Sequence, residues 1–162
     1  LVCNAQINIQ ENWQRKHFSA IQSAYAKAPF FKEYKYLIED IYMDNVWGSI
    51  SDLDIYSTKK IAEAIGISAE WVNSSDLKLH GNKDGEKIIK ICQELNCNFF
   101  INGPASKEFM DYEKFKEAGI ELDYMDYIYP EYNQLYEPFN HYVTVLDVIF
   151  NCGPDAKKFI CK

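Results

Sequence analysis

The run Asn98–Phe109, NFFINGPASKEF, carries the most suggestive spacing in the chain. Phe99, Phe100 and Ile101 read as a short buried strand, Gly103-Pro104 as a turn, and Ser106-Lys107 as the opening of a helix. At the carboxyl end of a strand in an open α/β sheet, unpaired backbone N–H groups and a nearby cation can meet an anionic ligand. Gly103 and Pro104 would bring backbone close to such a ligand, with Ser106 adding a hydroxyl and Lys107 a positive charge. The plainer alternative is a tight turn with an ordinary capping serine.

Other residues invite the same two-sided reading. Asp126 ends a second strand-like run and could act as a general base or orient a hydroxyl or amine; it could equally cap a turn. Tyr132, Gln134 and Tyr136 follow Pro130 in a tyrosine-rich loop. Aromatic faces with an amide that both donates and accepts suit a sugar ring, and also suit the rim of a core. Asp147 and Asn151 lie one turn apart in an otherwise apolar helical run, so they share a face and must be satisfied there. His17 falls on the apolar stripe of the first helix with Trp13 and Ile21, as a proton-handling imidazole or a core histidine. Ser75, beside Ser74, follows a predicted strand at Glu70–Asn73 and could hold a phosphate or act as a nucleophile, or simply close a turn. His80 and Lys83 lie in the loop beyond it.

These residues need elements to position them, and hydrophobic periodicity supplies the elements. Leu1–Ile9 alternates in its second half and predicts a half-buried strand. Asn12 caps a helix whose apolar stripe runs from Trp13 to Ala28, before Pro29 stops it. Lys32–Tyr42 predicts a second helix, and a third starts at Ser51 or Asp52 and closes at Gly66. A helix from Asn82 or Asp84 through Leu95 precedes the strand Phe99–Asn102. Tyr112–Ala118 is helical and capped by Gly119, and Ile120–Tyr127 is a strand. Thr144–Asn151 and Asp155–Ile160 form helices on either side of Cys152-Gly153-Pro154. Strands alternating with helices imply an α/β fold: a mostly parallel sheet with flanking helices and a helical N-terminal section, in a single domain over residues 1–162.

Bulk properties narrow the function. A chain of 162 residues that is 48% apolar can build a real core. A net charge of -7 argues against a nucleic-acid groove, which needs clustered Lys and Arg. The five cysteines are odd in number and form no CxxC pair, and the three histidines show no HxH or HxxxH spacing, so neither a disulfide framework nor a metal site is expected. Reduced thiols, the lack of a long apolar run and the lack of a signal peptide point to a cytoplasmic protein without stable membrane insertion.

Several phrases together resemble the WbqC-like protein family: NWQRKHFSAIQSAYAKAPFF, WVNSSDLKLHGNKD, FFINGPASKEFM, FKEAGIELDYMDYIYPEYNQLYEPF and LDVIFNCGPDA, spanning about Ile7 to Ala156. The YPEYNQLYEPF and LDVIFNCGPDA stretches are the most specific. The resemblance implies a role in bacterial surface polysaccharide (O-antigen) synthesis, with transfer of glycine or another acyl group to an amino sugar. It also implies a further N-terminal part, so a chain that opens at Leu1 is expected to be a truncated fragment of the family's domain. Where the family usually has a Gly-Gly or Ser-Gly pair and an Arg, this chain reads Ala105-Ser106-Lys107, which keeps the charge and loses the two-pronged geometry.

The leading expectation is therefore an acyl or aminoacyl transferase acting on an amino-sugar nucleotide. In it His17, Asp126 and Lys107 are the catalytic candidates, with Ser75, Gly103, Pro104, Ser106, Tyr132, Gln134, Asp147 and Asn151 binding substrate. A sugar nucleotide and an acyl donor are the expected partners; no cofactor is specified. Two competitors stand beside it: an ATP-dependent enzyme that adenylates a carboxylate, and a non-catalytic partner of a glycosyltransferase or aminotransferase.

Overall fold

In the computed structural model, which describes residues 2–77, 79, 84–128 and 130–161, the apolar run after Thr144 folds as predicted. The Thr144 hydroxyl accepts from the backbone N–H of Leu146, and helix α6 runs over Val145–Cys152. A helix so apolar must be buried nearly all round. Asp147 through Asn151 are all buried, and Ile149 and Phe150 are fully so. This helix is the centre of the first of two compact units, Leu1–Ala69 with Tyr129–Lys162.

The N-terminal helices pack around α6. Helix α1, Trp13–Tyr25, and helix α2, Phe31–Glu39, bring Tyr25 and Phe31 against the Phe150 ring, with centroids 5.3 and 5.0 Å away. Helix α1 stops three residues before Ala28, and the chain then turns ahead of Pro29. A π-helical turn, Asp40–Asp44, extends α2. Helix α3, Ile50–Ala64, is capped two or three residues earlier than predicted, by Ser49 rather than by Ser51 or Asp52; the Ser49 hydroxyl accepts from the Asp52 N–H. Gly66, at φ +71°, closes it as predicted, and Lys157 donates to the Gly66 carbonyl at 2.6 Å.

The predicted strand at Leu1–Ile9 is not formed. Val2–Asn4 is a 3₁₀ turn, and only Gln6 bridges to Ser49, supported by Ile7 N–H to Gly48 and Ile50 N–H to Ala5. A strand needs a partner of comparable length, and the partner here enters helix α3 at Ile50.

The second unit is Glu70–Ile128. Helix α4, Asp84–Glu94, precedes strand β1, Phe99–Asn102; helix α5, Tyr112–Glu117, precedes strand β2, Glu121–Tyr124. The strands pair in parallel, with Phe99 opposite Glu121 and Asn102 opposite Tyr124. Phe115, Ile120, Leu122 and Cys92 make the core, and Phe115 stacks on Phe100 at 6.0 Å. Gly119, at φ +72°, reverses the chain between α5 and β2 as predicted. Leu95, the predicted last residue of this helix, is exposed just past the end of α4.

The fold is thus α/β in the broad sense, with a sheet much smaller than predicted: among the described residues it is one parallel pair. Glu70–Asn73 is irregular rather than the predicted strand, and Trp71 and Val72 keep nearly half their surface exposed. The predicted helix start at Asn82 and the loop residues His80 and Lys83 lie outside the described residues.

Candidate functional site

Asp147 is a carboxylate in the most buried helix of the first unit, only 6% exposed. Such a group persists only if donors surround it. Its Oδ1 accepts from the Tyr132 hydroxyl at 2.7 Å, from Gln134 Nε2 at 3.1 Å and from Asn151 Nδ2 at 3.2 Å. Tyr25, from α1, directs its hydroxyl to the same carboxylate. Helix geometry brings Asn151, four residues on, back over Asp147, and its amide also donates to the Asp147 carbonyl at 2.9 Å. Gln134 does double duty. It donates to the Asn140 carbonyl at 2.9 Å and accepts from the Asn140 N–H at 2.7 Å, clasping the tyrosine loop while reaching Asp147.

The electrostatics follow. Burial first, and then the hydrogen bond and charge of Asp147, hold the Tyr25 and Tyr132 hydroxyls well above the usual tyrosine range. Both phenols are therefore neutral donors at any physiological pH. Burial, with the negative charges of Asp147 and Asp155, pushes the Cys152 thiol up to about 11. Cys152 is a thiol and not a thiolate near neutrality, which removes it as a nucleophile.

Beside this cluster lies an open hollow of about 410 Å³, lined by Phe30, Tyr132, Asn133, Asn151, Cys152, Asp155 and Phe159. Gly153, next to Cys152 in the chain, has φ +55°, and a Cβ there would run into the Phe30 ring. Only glycine permits that approach. Aromatic surfaces, two amides and a carboxylate face one space, an assortment suited to a polyhydroxylated ring. Asp147, buried and with three donors on its Oδ1, positions this wall.

Four of the sequence-predicted residues, Tyr132, Gln134, Asp147 and Asn151, are thus brought together, all within the first unit. His17 is placed elsewhere in that unit. It is exposed, edge-on to Trp13 at 5.3 Å and Tyr42 at 5.9 Å, so it neither enters the core nor bonds to Asp147.

The remaining residues belong to the second unit. Parallel pairing puts the ends of β1 and β2 on one edge, where Met125 N–H donates to the Asn102 carbonyl at 2.8 Å. Gly103–Lys107 and the exposed Asp126 follow those ends. The Lys107 ammonium sits 5.1 Å over the Tyr124 ring. The turn is less open to an anion than its sequence implies. Gly103 N–H donates to its neighbour's Asn102 Oδ1 at 2.8 Å, and the Ser106 hydroxyl donates to the Gly103 carbonyl at 2.7 Å. Gly103 has φ −70° and open space around a notional Cβ, so neither crowding nor backbone shape requires glycine there; Pro104 simply opens a 3₁₀ turn, Pro104–Glu108. Ser75 lies in the short turn Ser74–Asp76, where its N–H donates to Asn73 Oδ1 and its hydroxyl to Asp76; no strand precedes it.

Sequence reasoning passed over Tyr25, which shares the first helix's packing face with Trp13, His17 and Ile21, and over Asn133 and Asp155. A signal for Tyr25 was present: a tyrosine facing a core must satisfy its hydroxyl, and Asp147 needed donors. Among the described residues no cluster of His, Cys, Asp and Glu could hold a metal ion, and no helix is long and apolar enough to cross a membrane.

Comparison with known proteins adds three findings. The model of the WbqC-like protein family matches residues 1–159. An uncharacterized protein of Mycobacterium tuberculosis is 29% identical over 150 residues, covering 92% of this chain; the chain spans 64% of that relative's length. No solved structure matches.

Proposed function

The chain belongs to the WbqC-like protein family, and on that premise we propose that it is the sugar-holding part of a transferase of bacterial surface polysaccharide biosynthesis. Its substrate in this reading is an amino-sugar nucleotide that receives an acyl or aminoacyl group. The single observation that supports the reading is the hollow beside the Asp147 cluster, with Tyr132, Phe30 and Phe159 as aromatic walls and Asn133 and Asn151 as amides. Apolar ring faces pack against the hydrogen-bearing carbons of a pyranose, and amides pair with its hydroxyls in both directions. Amine acylation requires a base and a stabilised oxyanion, and no metal is demanded by it. The edge of the β1–β2 pair, with Lys107 and Asp126, is the chain's separate candidate for meeting an anionic group and handling a proton.

The test is calorimetry of the whole chain with a UDP- or dTDP-linked amino sugar, with ATP, and with an acyl donor, alongside Asn133→Ala and Lys107→Ala. Saturable sugar-nucleotide binding that weakens in Asn133→Ala is the expected result. Binding of ATP alone would turn the reading to a carboxylate-adenylating enzyme. Silence with all three ligands would turn it to a non-catalytic partner of another enzyme of the same pathway.

A further inference from the structure

Resting on that sugar-binding reading, we propose that the hollow reads the hydrogen-bond donors of its ligand, an ammonium or hydroxyl edge of the sugar, and excludes its phosphates, with Asn151 as the residue that sets this preference.

One acceptor of the Asp147 cluster is unused. Asn151 is 8% exposed, and its Nδ2 is committed to two acceptors, the Asp147 carbonyl and Asp147 Oδ1. Those two acceptors fix which end of the amide is nitrogen. The other end, Oδ1, has no donor among the described residues, although the side chain lines the hollow. A buried carbonyl without a donor is uncommon and asks for a partner from outside the chain. The space beside it is where that partner would stand.

The surrounding charge has the matching sign. Asp155 contributes a carboxylate to the same hollow, and the cation closest to it, Lys158 at 2.7 Å, is itself largely exposed on a flexible stem. An entering phosphate would face the Asp155 carboxylate and an acceptor carbonyl, with the uncharged Asn133 amide as its side-chain donor in the lining. An ammonium or hydroxyl would find an acceptor on each side. Size agrees: about 410 Å³ stands near the lower end of small-molecule sites, room for one sugar ring and not for a sugar with its nucleotide. The amino-bearing ring therefore enters, and the nucleotide stays outside.

The experiment is an NMR titration of the isotope-labelled whole chain with glucosamine, glucose and glucose 6-phosphate, following the side-chain amides of Asn151 and Asn133. Glucosamine is expected to shift both and to bind most tightly, by about two- to fivefold over glucose, the ratio that one partly exposed ion pair supplies. Glucose 6-phosphate is expected to bind weakest. Asp155→Asn, an exposed position, keeps the fold and is expected to bring glucosamine and glucose to equal affinity; Asn151→Ser is expected to weaken both. Equal or tighter binding of glucose 6-phosphate, or an unchanged glucosamine preference in Asp155→Asn, would overturn the proposal. Sugar-nucleotide binding in the calorimeter without shifts at Asn151 would overturn it while leaving the broader reading intact. Failure of every sugar in both experiments would end both.

Discussion

Tyr132→Phe removes one hydroxyl and leaves the ring in place, so it isolates the hydrogen bond to Asp147. That bond is short, 2.7 Å, and its acceptor is a buried carboxylate. Hydrogen bonds to charged groups contribute about 1.5–3 kcal/mol. The lower part of that range applies here, because Gln134 and Asn151 remain on the same oxygen. A loss of about 2 kcal/mol is expected at neutral pH. The measurement is urea unfolding followed by tryptophan emission in a Trp71→Phe background. Trp13 and Trp47 then report only the unit that holds the cluster. An unchanged m-value would show that the loss is one of stability and not of compactness.

The same variant makes a second, independent demand through pH. The Tyr132 hydroxyl in the folded chain loses its proton only well above the usual tyrosine range, mainly through burial and then through Asp147. The unfolded chain loses it near pH 10. Below that point both states hold the proton and stability is unaffected. Above it the unfolded state binds fewer protons, so stability falls as pH rises, by up to about 1.4 kcal/mol per pH unit for each such group. Tyr25 contributes in the same direction. Tyr132→Phe is therefore expected to flatten the alkaline limb by one tyrosine's share. A cost under about 0.5 kcal/mol at neutral pH, typical of an unremarkable surface change, together with an unaltered alkaline slope, would refute the account of the cluster.

Other expectations follow from single positions. Gly153→Ala forces a Cβ toward the Phe30 ring from a left-handed backbone and is expected to cost more than about 3 kcal/mol, whereas Gly103→Ala is expected to stay within about 0.5 kcal/mol; chemical denaturation of the pair checks both. Cys152 is expected to alkylate with iodoacetamide far more slowly than exposed Cys3 at pH 7.5, and to accelerate only as pH approaches about 11, read by mass spectrometry of the two peptides. Phe115→Ala removes the fully buried ring of the second unit and is expected to cost about 3–5 kcal/mol, measured by exchange protection of the β1 and β2 amides.

Helices were legible because their signals are local. Thr144, Gly66 and Gly119 act through bonds and dihedrals within a few residues, and each sits where its chemistry predicts. Strands were less so. Alternation in Leu1–Ile9 and the apolar Trp71-Val72 pair describe segments that could join a sheet, but a sheet is settled by partners far along the chain. Phe99–Asn102 and Glu121–Tyr124 found each other across α5; the other two segments form no strand among the described residues.

The site divides along the same line. Asp147 and Asn151 were visible as a pair from helical spacing alone, and a polar pair in an apolar helix already required donors. The donors come from Tyr25, 122 positions before Asp147 in the chain, and from a loop whose shape depends on the Gln134–Asn140 clasp. No short-range pattern encodes either. Conversely, the Gly103–Lys107 turn drew attention through its glycine and its serine, yet the serine serves the turn's own carbonyl and the glycine has an ordinary dihedral. A motif signals a ligand when its polar groups have nothing nearer to bond. By that measure the Gly103–Ser106 turn is largely closed on itself, and the open acceptor lies on Asn151, which the sequence marked only by its helical spacing from Asp147.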